Sequence, residues 1–167
     1  MESELILSRG GFPPLSARGC AQSLMPLESG ALRRTINGRL VYTGAPTAHK
    51  YRSVISCEDK ASLALDGIWR GSEVRVGCIQ RLWQKVEGRE IMLGRDPVEN
   101  SIFVVSERQE EREIQDVTGR KVILAASPFG QMFVSYRPWL DMRVTTFSLY
   151  TNEWGLKAGW RLEMEEI

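Results

Sequence analysis

From Arg33 onward, oily and polar side chains exchange places at every second position in one segment after another, the period of a strand with one buried and one wet face. The pattern is sharpest towards the C-terminal end. There Ala158, Trp160, Leu162 and Met164 alternate with Gly159, Arg161, Glu163 and Glu165, and residues 140–149 supply an antiparallel partner across Thr151-Asn152. Val74, Val76 and Cys78 fall on one face of another strand, opposite Glu73, Arg75 and Gly77. Met132, Val134 and Tyr136 alternate up to Pro138, Tyr51 to Cys57 mixes β-branched and aromatic residues with polar ones, and Lys121 to Ala126 reads as a short strand after Thr118-Gly119.

Turn chemistry predicts two hairpins. Thr35 to Val41 places Asn37-Gly38, a pair that tolerates positive φ, between two apolar-containing runs. Leu82 to Leu93 places Glu87-Gly88 between Leu82-Trp83 and Ile91-Met92-Leu93. Residues 94–120 are the least regular; within them Glu107 to Glu113 has a helix-like composition but reads as a solvated loop or exposed ribbon. Residues 1–32 carry Gly10-Gly11 and Pro13-Pro14 between short apolar runs, which blocks a long helix and suggests an arm or edge strand. Many short strands without intervening helices predict an all-β fold, an antiparallel β-sandwich or barrel with an extended N-terminal arm over residues 1–32. Residues 33–167 form a single β domain in this reading, with a charged insertion around 94–120.

The 167 residues suffice for one sizeable core, and a 43% hydrophobic, 26% charged composition is that of a folded chain. A net charge of +1 gives no global field to draw the chain to nucleic acid or an anionic membrane. No apolar window is long enough to cross a bilayer as a helix, and Met1-Glu2-Ser3-Glu4 is acidic where a secretory signal is basic and then apolar; these features predict a protein made and kept in the cytosol. Cys20, Cys57 and Cys78 are scattered and odd in number, which predicts reduced, packed thiols in place of a disulfide framework or zinc site.

The remaining residues carry no catalytic signature. His49 is the sole histidine and has no nucleophile motif beside it, so it reads as a loop residue after Pro46. Glu58-Asp59 and Glu165-Glu166 read as adjacent surface acids, and the phosphate, dinucleotide and calcium loops are missing from the sequence. Trp69, Trp83, Trp139, Trp154 and Trp160 offer flat rings for sugar or base stacking, but core and interface duty is the expected role. Arg33, Arg34, Arg39, Lys50 and Arg52 bunch near the first hairpin as a solvated or inter-subunit basic face, able to pair with the acidic Glu163 to Glu166 end of a neighbour. The chain reads as a structural or binding component, with no enzyme activity, cofactor or metal expected.

Several stretches resemble small virion proteins from the tail-gene region of tailed, especially long-tailed, bacteriophages. They are Ser16-Ala17-Arg18-Gly19 with Gln22-Ser23-Leu24, Arg33 to Gly38, Tyr51 to Cys57, Leu65-Asp66-Gly67-Ile68-Trp69 with Gly71, Tyr136-Arg137-Pro138 with Met142-Arg143-Val144, and Glu153-Trp154-Gly155 with Trp160. They span most of the chain except roughly residues 86–130. The resemblance implies a non-enzymatic virion component of the tail tip or baseplate, assembled in the host cytoplasm with other virion structural proteins in a multi-copy symmetric assembly. Arg33, Arg34, Trp69, Tyr136, Trp139 and Trp154 are the candidate interface residues. The alternatives are a host-surface carbohydrate-binding β domain of the virion, and a head, neck or decoration protein. Neither membrane insertion nor nucleic-acid binding is expected.

Overall fold

A computed structural model describes residues 3–27, 30–45, 49–154 and 157–167. Pro46 and Gly155, used in the sequence reading, lie outside them. Among the described residues the structure contains strands and no helix. In chain order the strands are β1 (Ile6–Leu7), β2 (Ala21–Pro26), β3 (Leu32–Arg34), β4 (Leu40–Tyr42), β5 (Tyr51–Asp59), β6 (Glu73–Gly77), β7 (Leu82–Val86) and β8 (Glu90–Met92). They continue with β9 (Phe103–Ser106), β10 (Glu111–Arg112), β11 (Ile114–Thr118), β12 (Lys121–Leu124), β13 (Met132–Tyr136), β14 (Trp139–Thr151) and β15 (Ala158–Glu166). The pairings are antiparallel, and the fold is all-β as the alternation predicts.

The chain divides into two compact units where a single β domain over 33–167 was expected. The first comprises Met1–Arg9 with Arg75–Asp141, the second Gly10–Val74 with Met142–Ile167, so β6 and β14 contribute residues to both.

In the first unit, one sheet runs β10-β9-β13-β7 and another β11-β12-β8. Their alternating inward residues share one core: Val86, Val104, Met132, Val134 and Tyr136 from the first sheet, Ile91, Val122 and Leu124 from the second, with Leu93 beside them. This is sandwich packing, with inward side chains of both sheets meeting in the common interior. It also corrects the second predicted hairpin. β7 pairs with β13 and β8 with β12, so the Glu87-Gly88 turn leads from one sheet to the other. Val86 and Ile91 thereby both reach the core, at 5% and 4% exposure. The Glu107–Glu113 run is the expected ribbon: β9 and β10 pair around a turn in which Gln109 has φ 62°.

In the second unit, the sheet runs from β14 through β15 and β5 to β2. Trp160, Leu162 and Met164 of β15 are buried with Ile55 and Cys57 of β5, as the alternation predicts. The Trp160 indole N–H donates to the Ser16 carbonyl at 2.8 Å, which satisfies the one polar atom of a large buried ring. On the other face Tyr150 sits opposite Gly159, and a Cβ at Gly159 would fall 1.9 Å from the tyrosine ring; the ring covers the gap that glycine leaves.

The N-terminal residues do not form a free arm. In the first unit Leu5 is buried and β1 pairs with β6. In the second, Gly11 and Ala64 exchange backbone hydrogen bonds of 3.1 and 3.0 Å, Ala17 is buried, and β2 pairs along its whole length with β5. The edge-strand half of the expectation describes β2; the arm half fails because Leu5 and Ala17 are buried and the backbone groups of β1, Gly11 and β2 are paired within the two units.

Candidate functional site

The second unit carries the β3–β4 hairpin between β2 and β5. Its turn is closed by Thr35 N–H donating to the Arg39 carbonyl at 2.9 Å and Gly38 N–H donating to the Thr35 carbonyl at 2.8 Å. Gly38 has φ +78°, a conformation that disfavours any side chain, which is why Asn-Gly marked this turn in the sequence. At the base, the Thr43 hydroxyl donates to the Ala31 carbonyl at 3.0 Å.

The hairpin's register sorts its side chains. Leu32 opposes Tyr42 and Arg34 opposes Leu40, so all four share one face; Arg33 and Val41 share the other. Every strand residue of the hairpin is exposed, Leu32 at 67%, and Ile36 at the turn is fully in water. A two-stranded ribbon is at best marginally stable by itself, and one that exposes Leu32, Leu40 and Tyr42 together on a face is a surface to be covered. Among the described residues this sheet has two strands, so both are edge strands.

In the first unit, β7, β9 and β13 expose a second surface that the sequence reading did not select. Ser135 lies between Trp83 and Phe103, and Phe133 lies between Lys85 and Val105. Trp83 meets Phe103 edge-on at 5.5 Å, and the Arg81 guanidinium covers the Phe103 ring at 4.4 Å. Arg81 is fixed by donating from Nε to the Ser135 hydroxyl at 2.9 Å and from its other end to the Ser101 carbonyl. Burial and then the nearby Arg137 charge push its pKa below the ordinary arginine value. The available signal was the outward phase of the alternation: Trp83 and Lys85 sit between inward Leu82, Gln84 and Val86.

The six sequence-selected residues do not form one site. Arg33 and Arg34 are adjacent but face opposite ways, and Arg34 turns back to donate to the Gly38 carbonyl at 2.9 Å. Trp69 and Trp154 stand exposed in turns of the second unit, at 75% and 82%. Tyr136, expected at an interface, is a core residue at 2% exposure; its hydroxyl accepts from Arg95 N–H at 3.1 Å, so the inward phase that places Met132 and Val134 in the core carries Tyr136 with them. Trp139 is half-buried and lines an open groove of about 840 Å³ with Asp96, Asn100, Gln115 and Asp116. Arg75 caps its ring at 5.3 Å and pairs with Asp96 at 3.3 Å, so the indole face is already occupied by a cation.

Among the described residues, no group of three or more His, Cys, Asp or Glu could hold a metal ion. The chain matches no family model, no curated protein and no solved structure. Its chemistry is therefore read from these surfaces alone: they offer apolar area, aromatic edges and open strand rims, the means by which one protein adheres to another.

Proposed function

We propose that this chain is a non-enzymatic structural component of a tailed-bacteriophage virion, at the tail tip or baseplate, and that it docks to other virion proteins through the β3–β4 hairpin. The observation that carries the proposal is the face bearing Leu32, Leu40 and Tyr42, at 67%, 51% and 46% exposure, on a hairpin whose turn and register are otherwise well specified. Covering such side chains on assembly stabilises the complex by on the order of 1 to 2 kcal/mol each, and strand addition along the hairpin edge would fix the partner's orientation. The flanking Arg33, Arg34 and Arg39 favour an acidic partner surface and steer the encounter. The resemblance to tail-region virion proteins supplies the biological setting.

The test is a triple variant, Leu32→Ser with Leu40→Ser and Tyr42→Ser, introduced into the gene of a phage that encodes the chain. Purified variant protein should keep the circular dichroism and thermal midpoint of the parent, while its incorporation into particles falls at least tenfold. Normal incorporation would defeat the hairpin as the docking element. Particles that lack the protein yet have complete, infective tails would defeat the structural role. Binding of the purified parent to host-surface glycans, lost on Trp154→Ala but kept by the triple variant, would put carbohydrate recognition in its place.

A further inference from the structure

Two of the three cysteines, well separated in sequence, meet in the second unit. Strand β2 pairs with β5 in the register Ala21 to Ser56, Gln22 to Ile55 and Ser23 to Val54; carried one step past the end of β2, that register sets Cys20 across from Cys57, and the two side chains are within hydrogen-bonding reach. Side-chain alternation puts both on the inner face: Gln22 reaches the Ser53 hydroxyl at 3.0 Å, Ile55 and Cys57 are buried, and Cys20 continues the Gln22 row. The two thiols donate to adjacent carbonyls of one turn, Cys20 to Ala17 at 3.2 Å and Cys57 to Arg18 at 3.5 Å. That turn is clamped in its own right. Arg18 grips the Asp59 carboxylate through Nη2 at 2.7 Å and backbone N–H at 3.0 Å.

The geometry points to an oxidative modification site: Cys20 and Cys57 form a cross-strand disulfide when the folded chain meets a hydroperoxide. Directly opposed antiparallel residues have Cα atoms about 4.5–5.5 Å apart, within the range a disulfide spans without backbone movement. Cys20 is half-buried and Cys57 buried, so the oxidant meets Cys20 first. The Cys20 thiolate attacks the peroxide, the O–O bond breaks, and the leaving hydroxide takes a proton to become water, with Cys20 left as a sulfenic acid. The Cys57 sulfur then attacks the Cys20 sulfur, the S–O bond breaks, and the second water departs with the Cys57 proton. Two thiols and one peroxide give one disulfide and two waters; the sulfurs are oxidised and the peroxide is reduced.

Burial, followed by the side-chain hydrogen bond with Cys20, pushes the Cys57 thiol up to about 12, so Cys57 is protonated in the reduced chain. The greater exposure of Cys20 makes it the residue oxidised first, and Cys57, across from it on β5, is the one that resolves. Cys78, buried in the first unit, takes no part. The bond would close residues 20–57 into a loop that contains the β3–β4 hairpin and tie edge strand β2 covalently to β5. It rests on register and thiol placement, independently of any role in a virion.

The full chain, reduced and folded, is treated with hydrogen peroxide, quenched, unfolded and alkylated with iodoacetamide. The expected product carries one label where the untreated chain carries three, its mass lower by two hydrogens before alkylation, and digestion links the peptides of Cys20 and Cys57. Cys20→Ser, a change at a half-exposed position, should remove the cross-link, whereas Cys78→Ala should preserve it. Three labels after treatment, a link that includes Cys78, or Cys20 driven to sulfinic acid while Cys57 is still alkylated would each overturn the assignment.

Discussion

Residues 35–41 and 82–93 carry the same local message, a glycine-containing turn between apolar runs, and the molecule answers them in opposite ways. The first turn joins β3 and β4, which pair with each other and leave their apolar side chains in water. The second joins β7 and β8, which part company, take β13 and β12 as partners, and sink Val86, Ile91 and Leu93 into one core. A turn signal fixes where the chain reverses; it does not fix whom the outgoing strand will pair with. The difference also separates two uses of hydrophobic residues, one for folding the first unit and one available for recognition.

The largest effect expected from that contrast is on stability. Leu93→Ala should cost about 2–5 kcal/mol in urea denaturation, because it opens a cavity at a site 1% exposed, whereas Ile36→Ala at the hairpin turn should stay within about 0.5 kcal/mol. Comparable losses at the two sites would mean that the hairpin is packed in solution, and the contrast would collapse.

A smaller effect concerns the strands from which the hairpin is carried. Arg18 holds the Asp59 carboxyl well below the usual carboxylate range, and Arg52, followed by Arg161, holds Glu163 below it too, against the opposing pull of burial. A carboxyl whose folded pKa is depressed contributes stability that is complete above its unfolded value, about 4, and is lost as pH falls below it. Denaturation midpoints followed from about pH 7 to about pH 3 should therefore fall for the parent, and Asp59→Asn should begin lower and fall less over that window. A parallel decline in both proteins would remove Asp59 from the account.

The smallest effect distinguishes the turns themselves. Gly38→Ala forces a side chain into positive φ at a cost of about 1 kcal/mol, which should speed hydrogen exchange of the Thr35 amide roughly fivefold. A Cβ at Gly88 meets no atom within 4 Å and that residue has no positive φ, so Gly88→Ala should leave exchange in β7 and β8 unchanged.

Much of the fold was legible because alternation is local. The faces of β5, β6, β13 and β15, and the Asn37-Gly38 reversal, follow from side-chain type and a period of two. The candidate surfaces were less so. Tyr136, a candidate interface residue, alternates with Met132 and Val134 and so points inward, and the rings of the Trp83, Phe103 and Phe133 surface come from three strands distant in sequence, which no local pattern links. The meeting of Cys20 with Cys57 was hidden for the same reason.

By itself, then, the sequence determined that this chain would be built of strands, which face of many of them would be oily, and that it would reverse at Asn37-Gly38. Those properties reside in single residues and their near neighbours. Tertiary structure alone decided that β7 and β8 separate, that the N-terminal segments fold into the two units, that β2 borders β5 and that two thiols meet there. The physical reason is that backbone N–H and C=O groups are the same in every strand, so pairing is chosen by which arrangement buries the most apolar surface at once, a property of the whole chain.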